Sequence, residues 1–237
     1  MPKRDTADEL DLSVRSIADS LRAISESIKQ CADRIESDTK SNAHEMLQRA
    51  LRLIYKMADT RGAKMVFTGV GKSYLIGKKL AATMTSVGTP AICIHATEAV
   101  HGDLGMVHPL DCVVLLSYSG ATDEVVHLAS VLRTMRWGHP NDADDNGCTA
   151  GFCGNRAFLV GMSGAEMDSP LGKLCDAWID CKVDSELSSV VCAPTTSSNV
   201  TLAMGDAISM LLMARRNFGP SDFARNHPGG QLGQKIT

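Results

Sequence analysis

The chain lacks an excess of charge of either sign. Its 24 Lys and Arg stand against 27 Asp and Glu, a net charge of −3, which gives no argument for a nucleic-acid partner. It also lacks any apolar run approaching the roughly 20 residues needed to span a bilayer. The stretch MPKRDTADELDLS at the N-terminus is polar and has no apolar core of the secretory kind. A cytoplasmic protein without membrane contact is the expectation. The eight cysteines show no metal or redox spacing: Cys148/Cys153 and Cys175/Cys181 fit neither a zinc knuckle nor a CxxC pair. Free thiols are therefore expected, with Cys93 and Cys112 acting as small hydrophobes inside strand-like runs. No internal repeat and no DNA-binding helix pair stands out.

A nucleotide-triphosphate loop is missing as well, although GKS occurs at 71–73. A Walker A loop needs a glycine five positions before the glycine of GK, and counting back from Gly71 reaches Val66. What remains in KMVFTGVGKSYLIGKK is a strand, a glycine turn and a helix N-terminus carrying Lys72 and Ser73. Free N–H groups and the helix dipole suit such a turn to one phosphate group.

What is present is ordinary globular composition, 44% hydrophobic and 22% charged, over 237 residues, enough for one large domain or two small ones. Residues 1–60 read as a helical segment packing on the core or on a neighbouring subunit. Leu10, Val14, Ile17, Leu21, Ile24, Ile28, Cys31 and Ile35 alternate spacings of four and three, a heptad seam on one long helix. A second helix over 42–60 follows, and the pair reads either as an intramolecular hairpin or as a subunit contact. From 61 to 237 short apolar runs alternate with helical stretches: strands at 64–69, 91–95, 112–118, 158–163 and 177–183, helices at 73–87, 123–136 and 196–216. Runs such as DCVVLLS indicate strands buried on both faces, and the alternation predicts an α/β three-layer sandwich on a parallel sheet. The Gly-, Asn- and Asp-rich stretch 136–157 reads as a long polar insertion loop.

Ligands bind at the carboxyl ends of strands in open parallel sheets. Those ends carry Lys72 and Ser73, then Glu98, His101 and Asp103, then SYSGATDE with Ser117, Ser119, Thr122 and Glu124, and finally Glu186 in KVDSEL. Ser117, Ser119 and Thr122 ride a strand-to-helix turn, where hydroxyls and backbone N–H groups can donate to phosphate oxygens or merely cap a helix. A second such turn at Ser73 strengthens the phosphate reading. No arginine fork or Mg²⁺-binding carboxylate motif accompanies them, so a phosphomonoester fits better than ATP. Among the histidines, His44 and His127 fall on helices and are expected at the surface. His95 and His108 read as structural, while His101 in HGDLG and His227 in NHPGGQLG lie among glycines that permit close approach.

Four blocks taken together carry a resemblance: TGVGKSYLIGKKLAATMTSVGTPAICIHATEAVHGDLGMV, LLSYSGATDEV, APTTSSNVTLAMGDAISMLLM and DFARNHPGGQLGQK. In this order, over roughly 40–135 and 158–237, they are similar to the sugar isomerase (SIS) domain family, and more narrowly to its arabinose-5-phosphate isomerase branch. The resemblance implies a five-stranded parallel sheet and a homotetramer (or dimer). It implies aldose–ketose isomerisation of a phosphosugar, D-arabinose 5-phosphate to D-ribulose 5-phosphate, through an enediol, with no cofactor and no metal. A non-catalytic phosphosugar regulator, or an isomerase of another phosphosugar, are the alternatives on the same fold. The family's phosphate loop carries over as Ser117, Ser119 and Thr122 with Ser73 nearby, and its active-site set as Lys72, His101, Glu124, Glu186 and His227. Glu186 is expected to be the base, its pKa raised by burial, with Glu124 second. His227 or His101 suits ring opening, and Lys72 the enediol oxyanion. The sequence departs from the family in ELSSVVCAPT after Glu186, in Tyr118 within the phosphate loop, and in the 136–157 insertion. Many members append two CBS modules after the HPGG block, and here the chain ends at Thr237 instead.

Overall fold

The computed structural model describes residues 7–37, 42–135 and 156–229. Most of the polar insertion, with Cys148 and Cys153, lies outside them. Five parallel strands form one sheet in the order β2-β1-β3-β4-β5: β1 Met65–Gly69, β2 Ala91–His95, β3 Cys112–Leu116, β4 Phe158–Ser163 and β5 Ala177–Asp180. β1, β3 and β4 are buried at every position, as their unbroken apolar runs require, whereas the edge strand β2 stays half-exposed.

The register lines up Cys93, Phe67, Val114, Val160 and Ala177 across the sheet. This row faces α2 (Asn42–Asp59), α3 (Gly71–Ser86) and α6 (Thr196–Arg215) through Ile54, Met57, Leu80, Met84 and Leu212. The alternate row, with Ile94, Leu115 and Trp178, meets α5 (Asp123–Thr134) through Val125, Leu128 and Leu132, and the single turn α4 (Ala96–Ala99). Each fully buried Phe or Leu on these faces contributes about 2 kcal/mol. Gly161 is obligatory in that second row: the Trp178 ring lies over it, and a Cβ there would meet the ring at 2.1 Å.

The strand and helix expectations from the sequence hold to within a few residues, and the differences are informative. β3 ends at Leu116 rather than 118, because Ser117 turns out of the ladder to bond Thr122. β5 ends at Asp180 rather than 183. Nothing in the sequence pattern announces α4, the 3₁₀ turn Asp103–Met106, or α7 (Pro220–Asn226), all too short to carry a period.

The N-terminal helix α1 (Ala7–Ser37) is one uninterrupted helix, as the seam requires. It does not pair with α2 as a self-contained hairpin: α1 rests on α6, and α2 on β5. Only the second half of the seam is used within the chain, with Cys31 buried and Ile35 packed against the same core. Leu10, Val14, Ile17 and Leu21 remain more than half exposed. The described cysteines are all free thiols; burial pushes Cys93 and Cys175 up to about 12. No described helix is long and apolar enough to cross a membrane.

At the amino end of the sheet, buried Asp176 gathers both flanks of the 136–155 segment. It accepts from Arg133 Nη1 at 2.9 Å, from Arg156 Nη1 and Nη2 at 2.8 and 2.6 Å, and from the Leu159 amide at 2.9 Å. Burial alone would raise this carboxyl, but the Arg156 and Leu159 bonds and the two guanidinium charges hold it below its ordinary 3.8. Asp176→Asn is expected to destabilise the fold by about 3 kcal/mol at neutral pH, since it removes the buried charge that pairs with the half-buried Arg156 guanidinium. The contribution is present above the ordinary carboxyl range and fades as pH falls below 3.8, so chemical denaturation should show the gap between the two proteins closing with acidification.

Candidate functional site

β1 and β3 are neighbours, yet the helices that follow them, α3 and α5, go to opposite faces of the sheet. The turns after the two strands therefore diverge and leave a gap at the carboxyl edge, the place where open α/β sheets bind ligands. Gly69 lets those turns come together. A Cβ at this position would sit 3.0 Å from Leu116 O and 3.0 Å from Ser73 Cβ. The result is a cleft of about 230 Å³ walled by Lys72 and Ser73, by Ser117 and Tyr118, and by Ser197 and Ser198 at the start of α6. Two larger clefts, of about 710 and 700 Å³, lie elsewhere. The smaller one is the chemical candidate because the N-termini of α3 and α6 and the hydroxyls of Ser73, Ser117, Ser197 and Ser198 meet on it.

The N-termini of α3, α5 and α6 are not equivalent. α3 begins at Gly71, in the left-handed region at φ 55°, after Val70, which offers no side-chain cap. Its first amides, with Lys72 beside them, are thus open to an anion. α5 begins after Thr122, whose hydroxyl turns back to Ser117 Oγ at 2.8 Å instead of capping the helix. Ser119 Oγ accepts from the Ala121 amide at 3.3 Å, and Gly120, at φ 61°, makes the tight bend.

α6 is different: its end is capped by Glu186, from nine residues upstream. One carboxylate oxygen accepts from Thr195 N and Thr195 Oγ1 at 2.7 Å each, from Thr196 Oγ1 at 3.1 Å and from Ser197 N at 3.4 Å; the other accepts from Ser197 Oγ. Burial would raise this carboxyl, but the hydroxyls of Ser197, Thr195 and Thr196 and the Thr195 amide outweigh it and bring it down from 4.5 to about 2. The raised pKa expected of Glu186 as a proton-abstracting base is therefore reversed. Hydrogen bonds to the charged form win over desolvation because both oxygens are fully engaged.

Tyr118, the bulky residue in the 117–122 turn, does not fill the cleft. Its ring lies over Gly164, where a Cβ would meet it at 2.3 Å. Its hydroxyl accepts from Val183 N at 3.2 Å and is 3.4 Å from Val183 O, to which it donates. The loop is thereby tied across β4 to the end of β5, and Ser163 Oγ and the Gly164 amide secure Tyr118 O at 3.1 Å each.

Of the residues singled out from sequence, the chain brings Lys72, Ser73 and Ser117 onto the cleft, with Ser119 and Thr122 on the same turn. Glu124 follows, exposed in the first turn of α5. Glu186 stands behind the wall made by Ser197, facing the 710 Å³ cleft beneath α1. His101 is exposed in the turn after α4. His227 lies away from the cleft, stacked on Phe223 at 4.0 Å with Nδ1 2.8 Å from Phe223 O, and borders the groove between α3 and β2. His95 caps α4, its Nδ1 accepting from the Thr97 amide at 3.3 Å. Sequence reasoning gave no role to Ser197 and Ser198, although the TTSS run opening a helix was a visible signal.

Residues 58–136 match the SIS domain family. A solved structure, an Escherichia coli CFT073 protein in complex with arabinose 5-phosphate, is similar at 33% identity and a TM-score of 0.70, over 95% of this chain and 100% of that one. A Haemophilus influenzae protein named "Probable arabinose 5-phosphate isomerase" is 43% identical over 173 residues, 73% of this chain and 45% of that protein. The Escherichia coli "Arabinose 5-phosphate isomerase KpsF" is 34% identical over 216 residues, 91% of this chain and 60% of that protein. The chain thus spans about half the length of the curated relatives it matches. With a full-length structural relative at this identity, and with the parallel sheet and the cleft at its β1/β3 junction in place, the chain belongs to the SIS domain family.

Proposed function

We propose that the cleft binds a phosphosugar and interconverts its aldose and ketose forms, with D-arabinose 5-phosphate and D-ribulose 5-phosphate as the pair. The observation that carries this reading is the division of helix ends. The first amides of α3, beside Lys72, have no side-chain cap, while α6 already holds the carboxylate of Glu186. One phosphoryl group has one place to go. The names of the relatives and the neighbour bound to arabinose 5-phosphate support the choice of sugar.

With the phosphate held by Ser73, Ser117, Ser119 and Thr122, the sugar carbons extend along the cleft. Isomerisation needs removal of the proton from C2, transfer of a proton to O1 to give the enediol, and return of a proton to C1 as O2 becomes the carbonyl. Glu124 takes the carbon-bound proton: no described residue holds its carboxylate, whereas Glu186 is committed to α6. Lys72 stabilises the enediolate oxygen. His101 and His227 serve ring opening, since an imidazole has two ring nitrogens, one able to accept a proton and the other to donate one. His227 faces away from its own cleft, so a neighbouring copy receives it. The chain works as a homotetramer (or dimer) in the cytoplasm, and the exposed half of the α1 seam supports such an assembly.

Incubation with D-arabinose 5-phosphate is expected to yield D-ribulose 5-phosphate; binding without turnover would convert the reading to a sensor. Glu124→Gln is expected to lower kcat by at least about 100-fold while the phosphosugar still binds, measured by calorimetry beside a coupled assay. Unaltered turnover in that variant would remove Glu124 from the base role. Ile17→Asp is expected to shift the protein to a smaller species in sedimentation, and an unchanged mass would exclude the seam from the assembly.

A further inference from the structure

Ser197 stands between two differently used spaces. On one side it forms part of the wall of the 230 Å³ cleft, and it is otherwise buried. On the other side its hydroxyl donates to Glu186 Oε1. A serine hydroxyl has one proton and two lone pairs. With the proton committed to a carboxylate that cannot donate in return, the group can only accept from anything else that reaches it. Thr196, the next residue back, faces the opposite cleft beneath α1, so Ser197 is the member of the Glu186 network that reaches the site.

We propose that Ser197 binds a hydroxyl of the sugar as a hydrogen-bond acceptor, and that Glu186 is a positioning residue that imposes this polarity by holding the serine proton. The inference rests on the phosphosugar reading and deepens it: recognition of the phosphate belongs to α3 and the 117–122 turn, recognition of the carbohydrate to α6. It also gives Glu186 a function at the site without contact with the substrate.

The geometry makes Glu186→Gln an unusually specific probe. The Oε2 position receives the backbone amides of Thr195 and Ser197, which cannot reverse, so a glutamine must place its oxygen there. Its –NH₂ group then falls at the Oε1 position and donates to Ser197 Oγ. The serine proton swings toward the cleft, and an acceptor becomes a donor, while the helix end stays capped.

The test compares inorganic phosphate with D-arabinose 5-phosphate by calorimetry in the wild type, Ser197→Ala, Glu186→Gln and the double variant. Each single variant is expected to lose about tenfold in affinity for the phosphosugar, the worth of one hydrogen bond, with inorganic phosphate unchanged. The double variant should be no worse than the weaker single, because both changes remove the same contact. Unchanged phosphosugar affinity in Ser197→Ala would overturn the proposal, as would additive losses, which would make Glu186 independent of Ser197. A parallel loss for both ligands would mean only a structural role and would equally overturn it. Should the wild type bind neither ligand, the phosphosugar reading itself fails, an outcome separate from these.

Discussion

The constraint on which everything else rests is the reversal of winding between β1 and β3. Adjacent parallel strands that send their helices to opposite faces cannot cover the edge between them. The gap lies where the chain reverses from strand to helix, so its walls are backbone amides and short side chains. Gly69 sharpens it by letting the end of β3 and the first turn of α3 touch. The site is thus a consequence of strand order, and the local residues only tune it.

That tuning is electrostatic. Two helix N-termini, those of α3 and α6, line one cleft, and each carries partial positive charge. If both were open, an anion could settle at either. Glu186 removes one candidate by filling α6, and it does so with five donors drawn from three consecutive residues. Tyr118 adds stiffness by bridging the 117–122 turn to Val183, three residues before Glu186. The turn and the capped helix are therefore held in one frame.

The placement of the polar and apolar faces of α1 follows the same economy. Its polar side, including Arg15, Asp19 and Glu26, borders the cleft that contains Glu186, while Leu10 to Leu21 of the seam are exposed. A helix whose apolar stripe is satisfied in only its second half by its own chain is suited to meet another copy with the first half. His227, on the far side of α3 from the cleft, fits the same arrangement.

Much of this was legible from the residues. The buried runs MVFTG, CVVLL and FLVGM set the strands, the seam set α1, and GKS with SYSGAT marked the two strand-to-helix turns at the cleft, because periodicity and turn chemistry are local properties. The resemblance pointed to the family by motif order. What the sequence could not determine was which side of a wall each acidic group would occupy. Glu186 follows a strand end much as Glu124 follows the SYSGAT turn, and burial argued for a raised pKa. Only the folded chain brings Thr195, Thr196 and Ser197 back onto that carboxylate and reverses the shift, since the contact joins residues nine to eleven positions apart through the bend before α6. The destination of Tyr118 is likewise a matter of tertiary structure: its ring crosses β4 to a backbone 65 residues away, a distance that no local pattern encodes.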